Sequence, residues 1–261
     1  MDLHLTGKTA VVTGASKGIG LAITRALAGE GVSVVAGALR GSAELDQLTT
    51  EADVRAVKVD LTTIDGPREL VATAGGTLGG IDILVNNVGA VRPRLKGFVS
   101  LTDEDWEWAL TINFLAAMRT MRAAIPHLSG RPGASIVTIA SVNAFLPDPG
   151  VIDYSAAKGA LLNLCKSLSK ELGPEIRVNT ISPGPVRTDL WLGGGGVAAT
   201  VGGATKTDPG DVVRRQEAEA ATGRFTTPNE VADLVLFLAS DRSANTTGSD
   251  FVVDGGLITT I

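Results

Sequence analysis

The chain has 261 residues, of which 44% are hydrophobic and 20% are charged, and its formal net charge is −5. This balance predicts one α/β domain with a full core, and the lack of a lysine and arginine cluster argues against a nucleic-acid partner. The single cysteine, Cys165, excludes an internal disulfide and favours a reducing, cytoplasmic location, with the thiol buried in a helix. No apolar run is long enough to span a bilayer and no His/Cys cluster has metal-ligand spacing, so we expect neither a membrane partner nor a metal site.

Short runs rich in valine and isoleucine alternate with longer amphipathic segments along the chain. The runs are apolar throughout, which is typical of parallel strands covered on both faces. The predicted strands lie at residues 9–14, 32–37, 54–60, 81–87, 134–140, 176–182 and 250–256. The predicted helices lie at residues 18–29, 42–52, 63–77, 103–128, 154–172 and 228–240. This alternation predicts a doubly wound parallel seven-stranded sheet with helices on both faces, in a single Rossmann-like domain covering 1–261.

The sequence TGASKGIG joins the first predicted strand to the first predicted helix. Its glycines, Gly14, Gly18 and Gly20, allow the backbone amides at the helix N-terminus to face a pyrophosphate. The spacing GxxxGxG is not the GxGxxG fingerprint, but its place after a buried strand favours a dinucleotide site over a merely tight turn. The same turn also fits the GxSxG elbow of α/β-hydrolases, with Ser16 as nucleophile. Because the only later histidine, His127, lies near the end of a long predicted helix, we do not expect a hydrolase.

The residues after the second strand bear on the choice of cofactor. An NAD site carries an acidic residue there, which accepts hydrogen bonds from the adenine ribose. Here Ala38 and Leu39 take that place and Arg40 follows. Lys17 and Arg40 could attract a 2′-phosphate, so we predict NADP(H) rather than NAD(H). The alternative for Arg40 is a solvated loop charge.

Polar or glycine residues follow four further predicted strands. Asp60 ends the third strand, and NNVG (86–89) follows the fourth. Ser141 follows the fifth strand, and Pro183-Gly184 follows the sixth. Because the carboxyl ends of parallel strands meet at one edge of the sheet, we expect these residues to form a ligand site there.

Tyr154 is the only tyrosine of the chain, and Lys158 follows it one helical turn later in the sequence YSAAK. A free tyrosine has a pKa of about 10, too high for efficient base catalysis at neutral pH. An ammonium on the same helix face stabilises phenolate, so we expect Lys158 to lower the pKa of Tyr154. An isolated pair with this spacing is commonly just a helix surface, and its meaning depends on the strand ends around it.

Taken together, TGASKGIG, NNVG, Asn113, Ser141, YSAAK and SPGPVRTDL resemble the short-chain dehydrogenase/reductase family in its single-domain form, over essentially the whole chain. The resemblance implies that Tyr154 protonates the substrate carbonyl in reduction and acts as the base in alcohol oxidation. It implies that Lys158 holds the nicotinamide ribose and that Ser141 hydrogen-bonds the substrate oxygen. Asn113 would anchor a water-linked proton relay through Lys158.

The resemblance and the charges near the glycine turn also predict the cofactor contacts. The predicted contacts are Gly14, Ser16, Lys17, Gly18, Ile19, Gly20, Arg40, Asp60, Leu61, Asn87, Gly89, Tyr154, Lys158, Pro183, Gly184, Val186 and Thr188. This set would surround the adenine, the phosphates and the nicotinamide of NADP(H).

The glycine-rich segment 193–210 follows Thr188, where the family carries a substrate lid. We predict a mobile loop with at most a short helix there, as part of a lid at about 189–215. The candidate substrate contacts are Arg92, Asn143, Phe145, Trp191 and Leu192. Their apolar members favour a hydrophobic or ring-bearing ketone or secondary alcohol.

Arg92, together with Arg94, could instead attract an acidic or phosphopantetheine-linked substrate, although a solvated loop is the commoner explanation. The predicted function is therefore reversible hydride transfer between NADP(H) and a ketone or secondary alcohol. The alternatives are an NAD(H)-dependent alcohol dehydrogenase on the same scaffold and a non-catalytic cofactor-sensing protein. The resemblance also implies a homo-oligomer, either a dimer or a tetramer, formed through helices 103–128 and 154–172.

Overall fold

A computed structural model describes residues 2–259 of the chain. Its seven strands form one parallel sheet in the order β3-β2-β1-β4-β5-β6-β7, so the predicted doubly wound α/β fold is confirmed. The strands are β1 (Thr9–Thr13), β2 (Ser33–Ala38), β3 (Val54–Lys58), β4 (Ile83–Asn86), β5 (Ser135–Ile139), β6 (Arg177–Pro183) and β7 (Asp250–Val253). The chain winds outward from β1 to β3 and then continues at β4 on the other side of β1. Ligands of such sheets bind at this switch point, beyond the carboxyl ends of the strands.

Ten α-helices are present among residues 2–259. They are α1 (Gly18–Gly29), α2 (Ala43–Glu51), α3 (Gly66–Leu78), α4 (Asp103–Leu110), α5 (Ala116–Leu128), α6 (Ile152–Glu171), α7 (Asp189–Leu192), α8 (Val197–Thr205), α9 (Pro209–Glu219) and α10 (Pro228–Ala239). Three of them, α1, α4 and α10, begin at the predicted residue, and capping boxes start α4 at Thr102 and α10 at Thr227. Within the described residues, no helix combines the length and the apolar character needed to cross a membrane.

The sheet separates two apolar cores, because successive strand residues point to opposite faces. In β1, Ala10 and Val12 pack in the core that holds α1 and α10. Val11 packs in the other core, with α3, α5 and α6. Cys165 lies in this second core as a free, buried thiol, as the sequence predicted.

The long helix predicted at 103–128 is interrupted by one π-helical turn, Thr111–Leu115, between α4 and α5. The backbone N–H of Ala116 donates to the carbonyl of Thr111, five residues earlier rather than four. Asn113 stands at the centre of this turn. Such one-turn insertions are frequent at functional sites because they rotate a side chain out of the regular helical register.

The segment 193–210 is not the loop that its glycine content predicted, because it contains α8 and the start of α9. Two of its glycines, Gly196 and Gly202, are closely packed against backbone carbonyls. A Cβ at Gly196 would lie 2.8 Å from the carbonyl oxygen of Asp189, and one at Gly202 would lie 2.7 Å from that of Thr207. Glycine is a poor helix former in isolation, but here tertiary contacts that only glycine permits outweigh its low propensity.

Candidate active site

A cleft of about 820 Å³ runs along the carboxyl edge of the sheet. It is lined by the glycine turn, the ends of β2, β4, β5 and β6, the first turns of α6, and parts of α7, α8 and α9. The predicted site residues that line it are Gly14, Ser16, Lys17, Gly18, Ile19, Arg40, Asn87, Gly89, Ser141, Asn143, Tyr154, Lys158, Pro183, Gly184, Val186, Thr188 and Trp191. The fold therefore brings together groups that lie far apart in the sequence.

The glycine turn is shaped for close backbone approach. Gly14 and Gly18 have positive φ angles of 66° and 55°. A Cβ at Gly20 would lie 2.2 Å from the carbonyl oxygen of Gly14, which leaves no room for any other residue. The side-chain amide of Asn87 fixes the turn by donating to the carbonyls of Thr13 at 3.0 Å and Gly14 at 3.1 Å.

The N-terminus of α1 has no side-chain cap and no acidic residue in its first turn. Its first amides are therefore open to an anionic ligand at the cleft. Together with the cradle formed by Gly14, Gly18 and Gly20, this arrangement fits the pyrophosphate of a dinucleotide. The residues present thus suit the cofactor that the sequence implied.

The end of β2 offers positive charge and no carboxylate to the cleft. Ala38 is buried, Leu39 is half-exposed, and the side chains of Lys17 and Arg40 are exposed. Neither cation forms an ion pair with any residue in the described range 2–259. Both are therefore available to a ligand in the cleft.

Asp60 and Leu61 lie outside the lining of the cleft. The carboxylate of Asp60 accepts hydrogen bonds from the backbone N–H and the hydroxyl of Thr62, at 2.9 and 2.6 Å. These bonds hold the pKa of Asp60 below its usual value, with the hydroxyl contributing most. Leu61 is buried in the core beside α3 and α5.

Lys158 is 3% exposed, and its Nζ donates to the carbonyl oxygen of Ile139 at 2.9 Å. Nζ lies 5.7 Å from the centre of the Tyr154 ring. Burial lowers the pKa of Lys158 to about 8, because removing the ammonium from water disfavours its charged form. The lysine is thus held at the end of β5, beside the tyrosine.

The expectation that Lys158 lowers the pKa of Tyr154 is not met. Although its side chain is partly open to the cleft, burial raises the pKa of Tyr154, and the hydroxyl of Ser141 acts in the opposite direction. The physical reason is that the tyrosine itself is buried, which disfavours its charged phenolate form. The spacing of Lys158 from the tyrosine on the helix does not decide the sign of the net shift.

Asn113 is fully buried behind the wall of the cleft. Its Nδ2 donates to the carbonyls of Ala90 at 2.8 Å and Ala109 at 3.1 Å, and its Oδ1 accepts the backbone N–H of Ala90 at 3.0 Å. A Cβ at Gly89 would lie 2.9 Å from Oδ1 of Asn113 and 3.5 Å from Nζ of Lys158. The absence of a side chain at Gly89 therefore allows the amide, the ammonium and the strand end to meet.

The predicted substrate contacts are only partly in the cleft. Asn143 and Trp191 line it, and Trp191 also packs edge-to-face on Phe225 at 5.2 Å between ring centres. Phe145 and Leu192 lie outside the lining, whereas the adjacent residues Leu146 and Leu190 belong to it. The sequence did not predict six further residues of the lining, and nothing but their place near the motifs or the glycine-rich segment pointed to them. They are Val91, Pro149, Val197, Gln216, Glu219 and Leu257.

The two arginines after NNVG do not face the cleft. Arg92 is exposed, and its guanidinium lies over the Trp108 ring, 3.8 Å from the centre. Arg94 is engaged in ion pairs with Asp105 and Asp153. The suggestion that Arg94 attracts an acidic substrate is therefore wrong, because internal carboxylates already occupy its guanidinium.

Comparison with known proteins identifies the family. A family model described as Enoyl-(Acyl carrier protein) reductase matches residues 14–258. The 3-oxoacyl-[acyl-carrier-protein] reductase FabG of Thermotoga maritima is 34% identical, over 98% of this chain and 100% of its own length. The human protein named Dehydrogenase/reductase SDR family member 4 is 34% identical, over 97% of this chain and 88% of its own.

A solved structure has the same architecture. L-sorbose reductase from Gluconobacter frateurii, in a complex with NADPH and L-sorbose, superposes with a TM-score of 0.91 at 33% identity, and all of both chains is covered. These similarities agree with the site, which combines the glycine turn with the cluster of Ser141, Tyr154 and Lys158. The chain belongs to the short-chain dehydrogenase/reductase family and is an NAD(P)-dependent oxidoreductase that acts on CH–OH and C=O groups.

Proposed function

We propose that the chain catalyses reversible hydride transfer between NADP(H) and a ketone or secondary alcohol, with a preference for apolar or ring-bearing substrates. The observation that carries the proposal is the meeting of Ser141, Tyr154 and Lys158 in one cleft beside an uncapped glycine turn. The names of the similar proteins support the reducing direction, since FabG and L-sorbose reductase are both reductases.

In this proposal the cofactor supplies the hydride, and the chain handles the proton and the orientation of the substrate. Tyr154 donates its phenolic proton to the carbonyl oxygen in reduction and takes it back in oxidation. The Ser141 hydroxyl donates a long, weak hydrogen bond to Asn143 Oδ1 at 3.3 Å. It can give up this bond and donate to the substrate oxygen instead. Lys158 would hold the ribose hydroxyls, and Asn113, which is bonded to Ala90 in the loop after β4, would anchor a water-linked proton relay through Lys158.

The preference for NADP(H) rests on the charges at the end of β2. Lys17 and Arg40 line the cleft, and the residues there, Ala38 and Leu39, carry no acid that would repel a 2′-phosphate. A charge-assisted hydrogen bond is worth about 1.5–3 kcal/mol, so we expect NADPH to bind roughly tenfold to a hundredfold more tightly than NADH. Fluorescence titration of both cofactors measures this ratio.

The matched variants are Arg40→Ala and Arg25→Ala. Arg25 is an exposed arginine on α1 that does not line the cleft. Arg40→Ala is expected to reduce the NADPH preference, whereas Arg25→Ala is expected to leave it unchanged. Equal affinity of the unsubstituted chain for NADPH and NADH would favour the NAD(H)-dependent alternative instead.

The central test is the replacement of the only tyrosine by phenylalanine. With a panel of acetophenone, cyclohexanone, L-sorbose and an acetoacetyl thioester, the unsubstituted chain is expected to oxidise NADPH with at least one ketone. Tyr154→Phe is expected to bind NADPH normally and to lose turnover roughly 10²- to 10⁴-fold, since it lacks the proton donor. Turnover retained by Tyr154→Phe would contradict the assignment. NADPH binding without turnover of any panel member would support the cofactor-sensing alternative.

The lid and the assembly belong to the same proposal. Trp191 of α7, Val197 of α8 and Gln216 of α9 reach the cleft, which supports a substrate lid over about 189–215. We also propose a homo-oligomer formed through α4 to α6, a dimer or a tetramer. Light scattering coupled to size-exclusion chromatography distinguishes these from a monomer.

A further inference from the structure

Arg94 lies at the end of the loop that follows β4, just beyond the wall of the cleft. Its side chain is 11% exposed, and the side chain of its partner Asp153 is 2% exposed. Nε and Nη2 of Arg94 both donate to Oδ2 of Asp153, at 2.9 and 2.6 Å. Nη1 donates to Oδ1 of Asp105 at 2.7 Å. One guanidinium therefore joins the start of α4 to the first turn of α6.

The same carboxylate reaches the residue that bears the phenol. Asp153 precedes Tyr154 directly, and its other oxygen, Oδ1, accepts the backbone N–H of Tyr154 at 2.9 Å. Both oxygens of Asp153 are thus used, one by the arginine and one by the tyrosine backbone. The guanidinium is therefore linked to the first turn of α6 through this one carboxylate.

The backbone of Arg94 is bonded to the segment that leads into α6. Its N–H donates to the carbonyl of Gly150 at 2.6 Å, and the neighbours Pro149 and Val151 line the cleft. On the opposite side, Ala90 and Val91 line the cleft just before the arginine. Arg94 therefore connects two walls of the same cleft at their base.

We infer that Arg94 is a positioning residue for the proposed reaction, which acts through Asp153 to fix the first turn of α6 and the phenol of Tyr154 against the opposite wall of the cleft. The inference rests on the proposed role of Tyr154 as proton donor. It also accounts for a charged group buried so close to the site.

The chain contains a matched control at the other edge of the sheet. Nε of Arg131 donates to Oδ1 of the buried Asp82 at 2.7 Å, and Nη2 donates to Oδ2 at 3.0 Å. Neither residue lines the cleft. Arg131→Met therefore breaks another ion pair to a buried carboxylate without touching α6, with the Arg131 side chain more exposed, at 38%. A merely structural role of Arg94 would give the two methionine variants the same phenotype.

The test uses the single tyrosine as its own reporter. With ¹³Cζ-labelled tyrosine, the folded chain gives one tyrosine signal, which belongs to Tyr154. Arg94→Met is expected to displace or split this signal, whereas Arg131→Met is expected to leave it unmoved. Arg94→Lys is expected to fall between, because an ammonium keeps the charge but not the fork of the guanidinium.

The kinetic arm uses the panel ketone that the unsubstituted chain reduces fastest. A displacement of about 1 Å can reduce a rate roughly 10²-fold, so we expect kcat of Arg94→Met to fall by about that factor while its NADPH affinity is unchanged. An unmoved tyrosine signal in Arg94→Met, or an equal fall of kcat in Arg131→Met, would overturn the inference. If no ketone is reduced by the unsubstituted chain, the proposed function fails, and the tyrosine signal still decides the role of Arg94. If Arg94→Met does not fold, the comparison is made with Arg94→Lys.

Discussion

Lys158→Met is expected to change the pH dependence of stability while removing most of the turnover. Lys158 is 3% exposed, and burial lowers its pKa from an ordinary 10.5 to about 8. The folded chain therefore holds this proton less tightly than the unfolded chain does. At roughly 1.36 kcal/mol per pH unit, the protonated lysine destabilises the fold by about 3 kcal/mol at any pH below 8.

The direction of the pH effect follows from which state loses the proton first. Between pH 8 and pH 10.5 the folded lysine is neutral while the unfolded lysine is still charged, so the unfolded chain binds more protons and stability rises with pH. The methionine variant lacks this dependence. The unsubstituted chain should therefore gain most of the ~3 kcal/mol relative to Lys158→Met between pH 7 and pH 10.

Two other groups bear on the magnitude. Loss of the hydrogen bond from Nζ to Ile139 costs the variant about 1.5 kcal/mol or more, which leaves Lys158→Met more stable at pH 7 by about 1 kcal/mol. This loss lowers the free energy of unfolding of the variant at every pH and changes its pH dependence little. Burial raises the pKa of the nearby Cys165 thiol to about 11, so it stays protonated through the range.

The assay is urea unfolding at pH 7, 8, 9 and 10, followed by tryptophan fluorescence. Lys170→Met is the control, since Lys170 is an exposed lysine on the same helix. A difference between Lys158→Met and the unsubstituted chain that stays flat from pH 7 to pH 10 would refute the reasoning. It would mean that water or a local rearrangement solvates the ammonium.

Two further predictions concern the glycine turn and the buried ion pair. Gly20→Ala is expected to abolish NADPH binding measured by fluorescence, because the new Cβ would lie 2.2 Å from the carbonyl oxygen of Gly14. Gly29→Ala, on the same helix with no atom within 4 Å, should bind normally, and similar losses in both would contradict this account. Arg94→Met is expected to lower the free energy of unfolding by about 3 kcal/mol in urea titration, since it leaves the buried carboxylate of Asp153 unpaired. A loss below about 1 kcal/mol would show that the carboxylate finds another partner.

The sheet and its ligand-binding edge were predictable because their signals are local. Strands covered on both faces are continuous apolar runs, and the residue after each run has to lie at the common carboxyl edge. This reasoning placed Asn87, Ser141 and Gly184 at one edge, and all three line the cleft. The helix α8 was not predictable in this way, because the contacts of Gly196 and Gly202 with carbonyl oxygens depend on the tertiary fold.

The electrostatics of the site depend on partners that no spacing reveals. The position of Lys158 on the helix suggested a lowered pKa for Tyr154, but burial of the tyrosine itself raises that pKa. Arg94 seemed free to meet a substrate, yet its carboxylate partner Asp153 lies 59 residues later in the chain. Likewise, the turn after Ser141 places Leu146, and not Phe145, in the lining of the cleft.

The four consecutive glycines at 193–196 differ in the space around them. Side chains at Gly193 and Gly196 would meet backbone carbonyls at 2.6 and 2.8 Å, whereas Gly194 and Gly195 have no atom within 4 Å of a new Cβ. The two open positions lie between Trp191 and Val197, which both line the cleft. Residues 194 and 195 can therefore be diversified between two residues of the cleft lining while Gly193 and Gly196 keep the backbone folded. We expect substitutions at these two positions to spare the scaffold.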